Sequence, residues 1–362
     1  MAQLLIDMPA EGAARLLVLS LLEQLSLHAP PFEAVGATNG TPKRNEAYTA
    51  ALHRLRASIA LYGDVLGTNL PRRACRRLRT LARIATRLHH IDDQLAWLAR
   101  SIKPEQSENG IGHTVELRDA VGVRGLLISP SALAAEWVCE RLTRRRAKLR
   151  LQLEQSHEGP RQFRRLAKRL GVYTTAIRLD DMTLSPSFGA LTGRQLLAAA
   201  EKLRLAVGGI RADDDHRTLR RIRRAADHVV YLLEPVRSHG GVGEVAETAR
   251  ELRDALGSLE ALAVVGDALI EGGSRVAARY MMARIRTTVW PPAAHNRGVE
   301  ITNGQAMVDP PDEIGPGLVS LAESLHAEWT ESFAQFAARW LTPDAARFFT
   351  EMEQLATALG ES

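Results

Sequence analysis

The chain is poor in the residues that stack on bases, bridge by oxidation or cross a bilayer. Phe, Trp and Tyr together make up 5% of its 362 residues. Platforms for base stacking are therefore few, and none interleaves with the arginine row from Arg72 to Arg87 of the Pro71 helix. The two cysteines, Cys75 and Cys139, form no Cys-x-x-Cys and have no metal-ligand spacing. That excludes a disulfide scaffold or zinc ribbon and fits a reducing compartment. No apolar run approaches the ~18 residues of a membrane span. The run Leu16–Leu22 is short, ends at Glu23, and reads as a core-facing helix rather than a signal peptide. A cytoplasmic protein with no membrane partner is expected. The glycine pairs near Gly208 and Gly240 are not followed by Lys-Ser/Thr, and no Gly-x-Ser-x-Gly elbow occurs, so neither a phosphate loop nor a serine nucleophile is marked.

Acid is also missing locally. Between Arg54 and Arg87 stand nine arginines and one carboxylate, Asp64. Arg72, Arg76, Arg79, Arg83 and Arg87 step by four, three, four and four, which returns to one side of a 3.6-residue helix. A solvated helix face ordinarily mixes Glu with Lys; here no acid follows until Asp92 and Asp93. Like charges so aligned repel, and an anion relieves them. Arginine suits phosphate because its fork donates two parallel bonds at little dehydration cost. A second stripe, Arg217, Arg220, Arg221, Arg224 and His228, with Arg223 beside it, repeats the pattern. A third cluster, Arg144-Arg145-Arg146-Ala147-Lys148 with Arg150, cannot point one way on a helix; Arg145 and Lys148 are the candidates there, the others being solvent contacts or stems lying over the core. From Ile301 to Ser362 the balance reverses, with ten acids against Arg339 and Arg347.

What is plentiful is Leu, Ala and Arg, the vocabulary of helices. Periodicity predicts helices over Ala10–His28, Asn45–Leu66, Pro71–Ser101, Ser129–Gln155, Arg161–Leu170, Gly193–Val207, the segment after Asp213-Asp214-Asp215 to Leu233, Glu244–Ile270, Ser274–Val289, Gly317–Leu341 and Thr342–Leu359. Buried sides are read as Leu78, Leu81, Ala85, Leu88, Ile91, Leu95 and Leu98 in one helix and Leu219, Ile222, Ala226, Val229 and Leu233 in another. Loops are expected at His28–Thr41, Lys103–His113, His157–Pro160, Asp180–Thr192 and the Pro-rich stretch Trp290–Pro316. No run alternates apolar and polar residues, so the fold class is all-α. Elements before and after Asp180 come in similar order, which suggests a duplicated four-helix unit with halves at about 10–180 and 181–362.

Metal and isoprenoid chemistries are weakly marked. His89 and His90 are neighbours, diverge by about 100° on a helix, and do not chelate one ion easily. Asp92-Asp93 and Asp180-Asp181 lack a further carboxylate one turn on, where Ala96 and Leu184 stand. No cofactor and no metal is expected.

Several stretches resemble the CHAD family, the conserved histidine α-helical domain, from about Ala13 to the end. They are Leu52-His53-Arg54-Leu55-Arg56-Ala57, Leu78-Arg79-Thr80-Leu81-Ala82, Ile222-Arg223-Arg224-Ala225-Ala226, Val230-Tyr231-Leu232-Leu233-Glu234 and Leu252-Arg253-Asp254-Ala255-Leu256-Gly257. The chain departs from the family where its hallmark histidines would fall, on Glu46 and Arg220; Asp227 and Val230 replace basic residues, and His89-His90 replaces an Arg-Asp pair. The resemblance implies tandem four-helix bundles related by pseudo-twofold symmetry, with a basic groove or pore between them. It implies binding of inorganic polyphosphate without catalysis, and association with polyphosphate granules. Laid on this sequence, the expected contacts are His53, Arg54, Arg56, Arg72, Arg76, Arg79, Arg83, Arg145, Lys148, Arg220, Arg221, Arg223, Arg224 and His228. Three other readings stand beside it. The charge would serve a nucleic-acid binder. An enzyme acting on phosphate esters would draw on Glu46, Asp92 or Asp93 as base or metal ligand. A scaffold that has lost its ligand would present the acidic C-terminal segment.

Overall fold

A computed structural model describes residues 2–28, 42–66, 72–102, 129–156, 161–174, 186–210, 216–289, 314–343 and 345–361. Among them there are twelve α-helices: α1 (Ala2–Asp7), α2 (Ala10–His28), α3 (Pro42–Leu61), α4 (Gly63–Leu66), α5 (Arg72–Ile102), α6 (Pro130–Ser156), α7 (Arg161–Thr174), α8 (Phe188–Val207), α9 (His216–Leu233), α10 (Val242–Val289), α11 (Ile314–Trp340) and α12 (Ala345–Glu361). A 3₁₀ turn, Glu234–Val236, closes α9 at Pro235, which lacks the N–H a longer helix would use. No strand occurs among the described residues; one isolated bridge pairs Pro9 with Ser187. The fold class is all-α, as the periodicity indicates.

Contacts divide the chain into two compact units. One comprises Met1–Ile91, Arg146–Ala261 and Trp329–Ser362; the other comprises Asp92–Arg145 and Leu262–Glu328. The partition follows contacts rather than chain order, so each unit draws on residues from both sides of Asp180. In the larger unit α8 lies along α12, α2 packs against α3 and α7, and α9 packs against both α8 and α3. Its core is built largely from leucine and alanine, with the Tyr62 and Phe188 rings in tilted contact at 5.1 Å between centres. In the smaller unit the Gln94 side-chain amide donates to the Val264 carbonyl at 2.7 Å, and the Trp97 indole N–H donates to Glu328 at 2.7 Å.

Two helices pass through glycines that look like breaks. The sequence suggests a loop to Thr192, but α8 begins at Phe188, capped by the Ser187 hydroxyl, which accepts the Ala190 N–H at 3.0 Å. Gly189 and Gly193 lie where neighbouring helices come close: a Cβ on Gly189 would meet Ile6 of α1 at 2.7 Å, and one on Gly193 would collide with the Ala356 carbonyl oxygen of α12. Likewise α10 runs unbroken through Gly272-Gly273, where two helices are expected. A Cβ on Gly272 would lie 3.4 Å from the Trp137 ring and 3.6 Å from Leu318. The start of α11 at Ile314 places Pro316 in the first turn, where no intrahelical N–H is lost. The short α1 is not signalled by periodicity. Leu16 is 42% exposed although its spacing places it with the core; Ala13, Ala14 and Val18 fill that side, and Arg15 is wholly buried with Glu11 at 2.6 Å. The expected loops at 29–41, 103–113, 157–160 and 290–313, the chain midpoint at Asp180, and the acidic cap at 213–215 lie outside the described residues.

Gly193→Ala lowers the unfolding free energy by about 1–3 kcal/mol in denaturant titrations, through overpacking against α12. Gly12→Ala, whose new methyl meets only the Met8 terminal carbon at 3.6 Å, is neutral or stabilising by up to ~1 kcal/mol. Equal stabilities for the two variants would contradict the close approach of α8 and α12.

Candidate anion-binding site

The arginine row of α5 faces outward. Its buried side is Leu78, Leu81, Ala82, Ile84, Ala85, Leu88 and Ile91, so the remaining arc carries the charge. Arg72, Arg73, Arg76, Arg79, Arg83 and Arg87 are all exposed, and none has a carboxylate partner among the described residues. Arg217, Arg221 and Arg224 of α9 are exposed in the same way, and Arg224 Nε donates only to the Arg220 carbonyl at 3.2 Å. Helical spacing dictates both rows: the apolar residues at intervals of three and four turn inward, and the arginines between them cannot follow.

Deeper in the same unit, side chains from four helices meet. His53 of α3 shares a hydrogen bond with Thr86 of α5, Nε2 to Oγ1 2.9 Å. Arg223 of α9 is ion-paired with Glu260 of α10, and His90 of α5 brings Nε2 to 3.9 Å from the other oxygen of that carboxylate. The Arg223 guanidinium passes close to Gly257, three residues before Glu260; a Cβ there would sit 3.8 Å from its Cζ and Nη2, an ordinary contact. Arg54 reaches back to Glu234 of the 3₁₀ turn at 3.0 Å. Arg253 pairs with its neighbour Asp254 at 2.7 Å.

Burial and this density of cations move the titrations. His53 is pushed down to about 4, first by burial and then by Arg56, Arg223, His89 and His90. His90 is lowered by burial, against the opposing pull of Glu260 and with help from His89, Arg223 and Arg220. Asp227, one turn beyond Arg223, is pushed up to about 6 by burial; Arg223 and Arg253 oppose this, and Glu260 and Asp254 add to it. His228 is lowered by burial and then by Lys202.

The anticipated contacts fall into three groups. His53, Arg56, Arg220 and Arg223 gather around the His90–Glu260 pair by contact or field. Arg72, Arg76, Arg79, Arg83, Arg221 and Arg224 form the exposed rows, while Arg54 and His228 are half-buried. Arg145 belongs to the other unit, where it lies 3.4 Å from Glu271 alongside Arg141 and Arg275. Lys148 is exposed on α6, with no contact tying it to the cluster among the described residues. Sequence reasoning missed Glu260 and Asp227 as partners of Arg223. Asp227 stands on the same face as Arg223, at i and i+4, which is a legible signal; Glu260 is 37 positions away and carries none. No group of three or more metal-ligating side chains comes together among the described residues, and no helix among them is long and apolar enough to cross a membrane.

This geometry defines an all-helical protein whose arginine rows face solvent around a half-buried histidine–arginine–carboxylate cluster. The family model described as the CHAD domain matches residues 36–269, more than half of the sequence, and the chain belongs to the CHAD family. The crystal structure of the CHAD domain from the plant Ricinus communis is similar, with a TM-score of 0.51 at 16% identity over 87% of this chain and 93% of that one. At that identity the likeness concerns the fold. No curated protein matches the chain.

Linkage gives the pH response. Unfolded His53 takes a proton near 6.5 and the folded residue near 4, so its contribution to stability is full above pH 6.5 and falls as pH drops toward 4. Asp227 works oppositely: its ordinary value is 3.8 and its folded value about 6, so its contribution is present below 3.8 and is lost as pH rises through 6. Urea unfolding across this window should show His53→Gln losing less stability on acidification than the parent. Asp227→Asn should gain stability above pH 6 and lose that gain by pH 4. Unchanged slopes in both variants would contradict the cluster.

Proposed function

We propose that this protein binds inorganic polyphosphate, without catalysis, on the arginine rows of α5 and α9. The observation that carries the reading is the set of outward guanidiniums Arg72, Arg76, Arg79, Arg83, Arg221 and Arg224, which have no carboxylate partner among the described residues. A linear polyanion supplies many phosphates at short intervals and relieves the repulsion along each row. His53, Arg54, Arg220, Arg223 and His228 add half-buried donors to the rows, with Arg56 exposed beside His53, and polyphosphate granules are a fitting place for such a binder. Membership of the CHAD family supports the choice of ligand. Scarce aromatics argue against single-stranded nucleic acid, whose binders add base stacking to charge.

Titration with long-chain polyphosphate tests this. Binding should weaken at least roughly tenfold between ~50 and ~200 mM salt, because several counterions are released. Arg76→Glu/Arg79→Glu/Arg83→Glu should lose at least roughly tenfold in affinity at low salt, with an unchanged melting profile. Polyphosphate should displace bound single-stranded DNA. Absence of polyphosphate binding at low salt, or preferential retention of DNA, would overturn the proposal.

A further inference from the structure

A surface meant for phosphates would not be expected to hold a carboxylate at its inner wall, yet Glu260 is there. Its side chain is 18% exposed, it pairs with Arg223, and its second oxygen lies 3.9 Å from His90 Nε2. The Arg223 guanidinium lies across α10 from Gly257 to Glu260. A carboxylate on a guanidinium takes the same forked donors that a phosphate would take. Glu260 therefore occupies, as part of the chain, the place of a bound anion.

We infer that Glu260 is an internal competitor for Arg223 and His90, which a phosphate must displace, and that it makes the site select long polyphosphate over short. This rests on the polyphosphate reading above. A tethered carboxylate acts at high effective concentration, so a free short phosphate meets it at a disadvantage. A long chain does not. On α5, Arg83, Arg87 and His90 stand at i, i+4 and i+7, along one side of the helix, and both arginines are exposed. At ~1.5 Å rise per residue they lie ~10 and ~5 Å along the axis from His90. A chain already held by Arg83 and Arg87 presents its next phosphates beside His90 at a local concentration of the same order as the carboxylate's, and exchange becomes possible. Discrimination then comes from a repulsive group built into the site rather than from added attraction. Arg220 of α9 acts on His90, and Arg56 acts on His53 along α3, so the displaced Glu260 leaves surroundings with arginines on the α3 and α9 sides.

The test compares tripolyphosphate with long-chain polyphosphate on the full chain, for the parent, Glu260→Gln and the control Glu251→Gln, whose carboxylate pairs with Arg339. Glu260→Gln should raise affinity for tripolyphosphate about tenfold and for the long chain less than about threefold, narrowing the preference; Glu251→Gln should change neither. Thermal melts confirm that the variants fold, and Glu260→Asp, which keeps the charge, should keep the parent's preference. If the parent binds the long chain and Glu260→Gln leaves the ratio unchanged or weakens both ligands, Glu260 only positions Arg223 and this inference fails while the polyphosphate reading stands. If neither parent nor variant binds either ligand, both fail. If the parent binds neither ligand and only the variant binds, Glu260 is the competitor, and the parent's function as a polyphosphate binder is overturned.

Discussion

Like-charge repulsion along α5 is the constraint on which the account depends. The helix must bury Leu78, Leu81, Ala85, Leu88 and Ile91, and this fixes its rotation. Once that face is inward, Arg72, Arg76, Arg79, Arg83 and Arg87 have no direction left but solvent. Surface ion pairs normally relieve such a row at up to about 1 kcal/mol each, and elsewhere in this chain they do: Arg204 with Glu353, Arg237 and Arg250 with Glu247, Arg347 with Glu351. The rows of α5 and α9 are treated differently. Their neighbours among the described residues supply no acid, although the chain has 42 Asp and Glu to place.

The inner cluster follows a contrary rule. Where side chains are half-buried, unpaired charge is costly, and the structure meets that cost by neutralisation. Arg223 has Glu260, Arg54 has Glu234, and His53 is held in its uncharged form. The site is thus graded, from bare cations outside to compensated ones within. Such a gradient suits an extended anion that first meets the outer rows and gains the inner groups only by exchange.

Much of the scaffold can be read from periodicity because an amphipathic helix writes its burial into its spacing. α2 has the limits the apolar pattern indicates, and Leu219, Ile222, Ala226, Val229 and Leu233 of α9 are all buried. The pattern misleads at Gly189 and Gly272, since a glycine that admits a neighbouring helix has the same letter as one that ends its own. The outer part of the candidate site is legible for the same reason as the scaffold: arginines at helical steps share a face. The inner part is not. Nothing local connects Glu260 to Arg223, or His53 to Thr86; these pairs exist only once α3, α5, α9 and α10 are folded. His89-His90 illustrates the difference, being an ordinary polar step in sequence and a contributor to a four-helix cluster in space.

Residue-resolved arginine footprinting bears most directly on the central claim. The protein would be treated with an arginine-selective dicarbonyl reagent, with and without long-chain polyphosphate, and read by mass spectrometry. The account predicts protection of Arg76, Arg79, Arg83, Arg221 and Arg224, with Arg204 and Arg347 modified equally in both samples. Equal modification of the α5 and α9 rows with and without polyphosphate, or protection confined to Arg204 and Arg347, would contradict it.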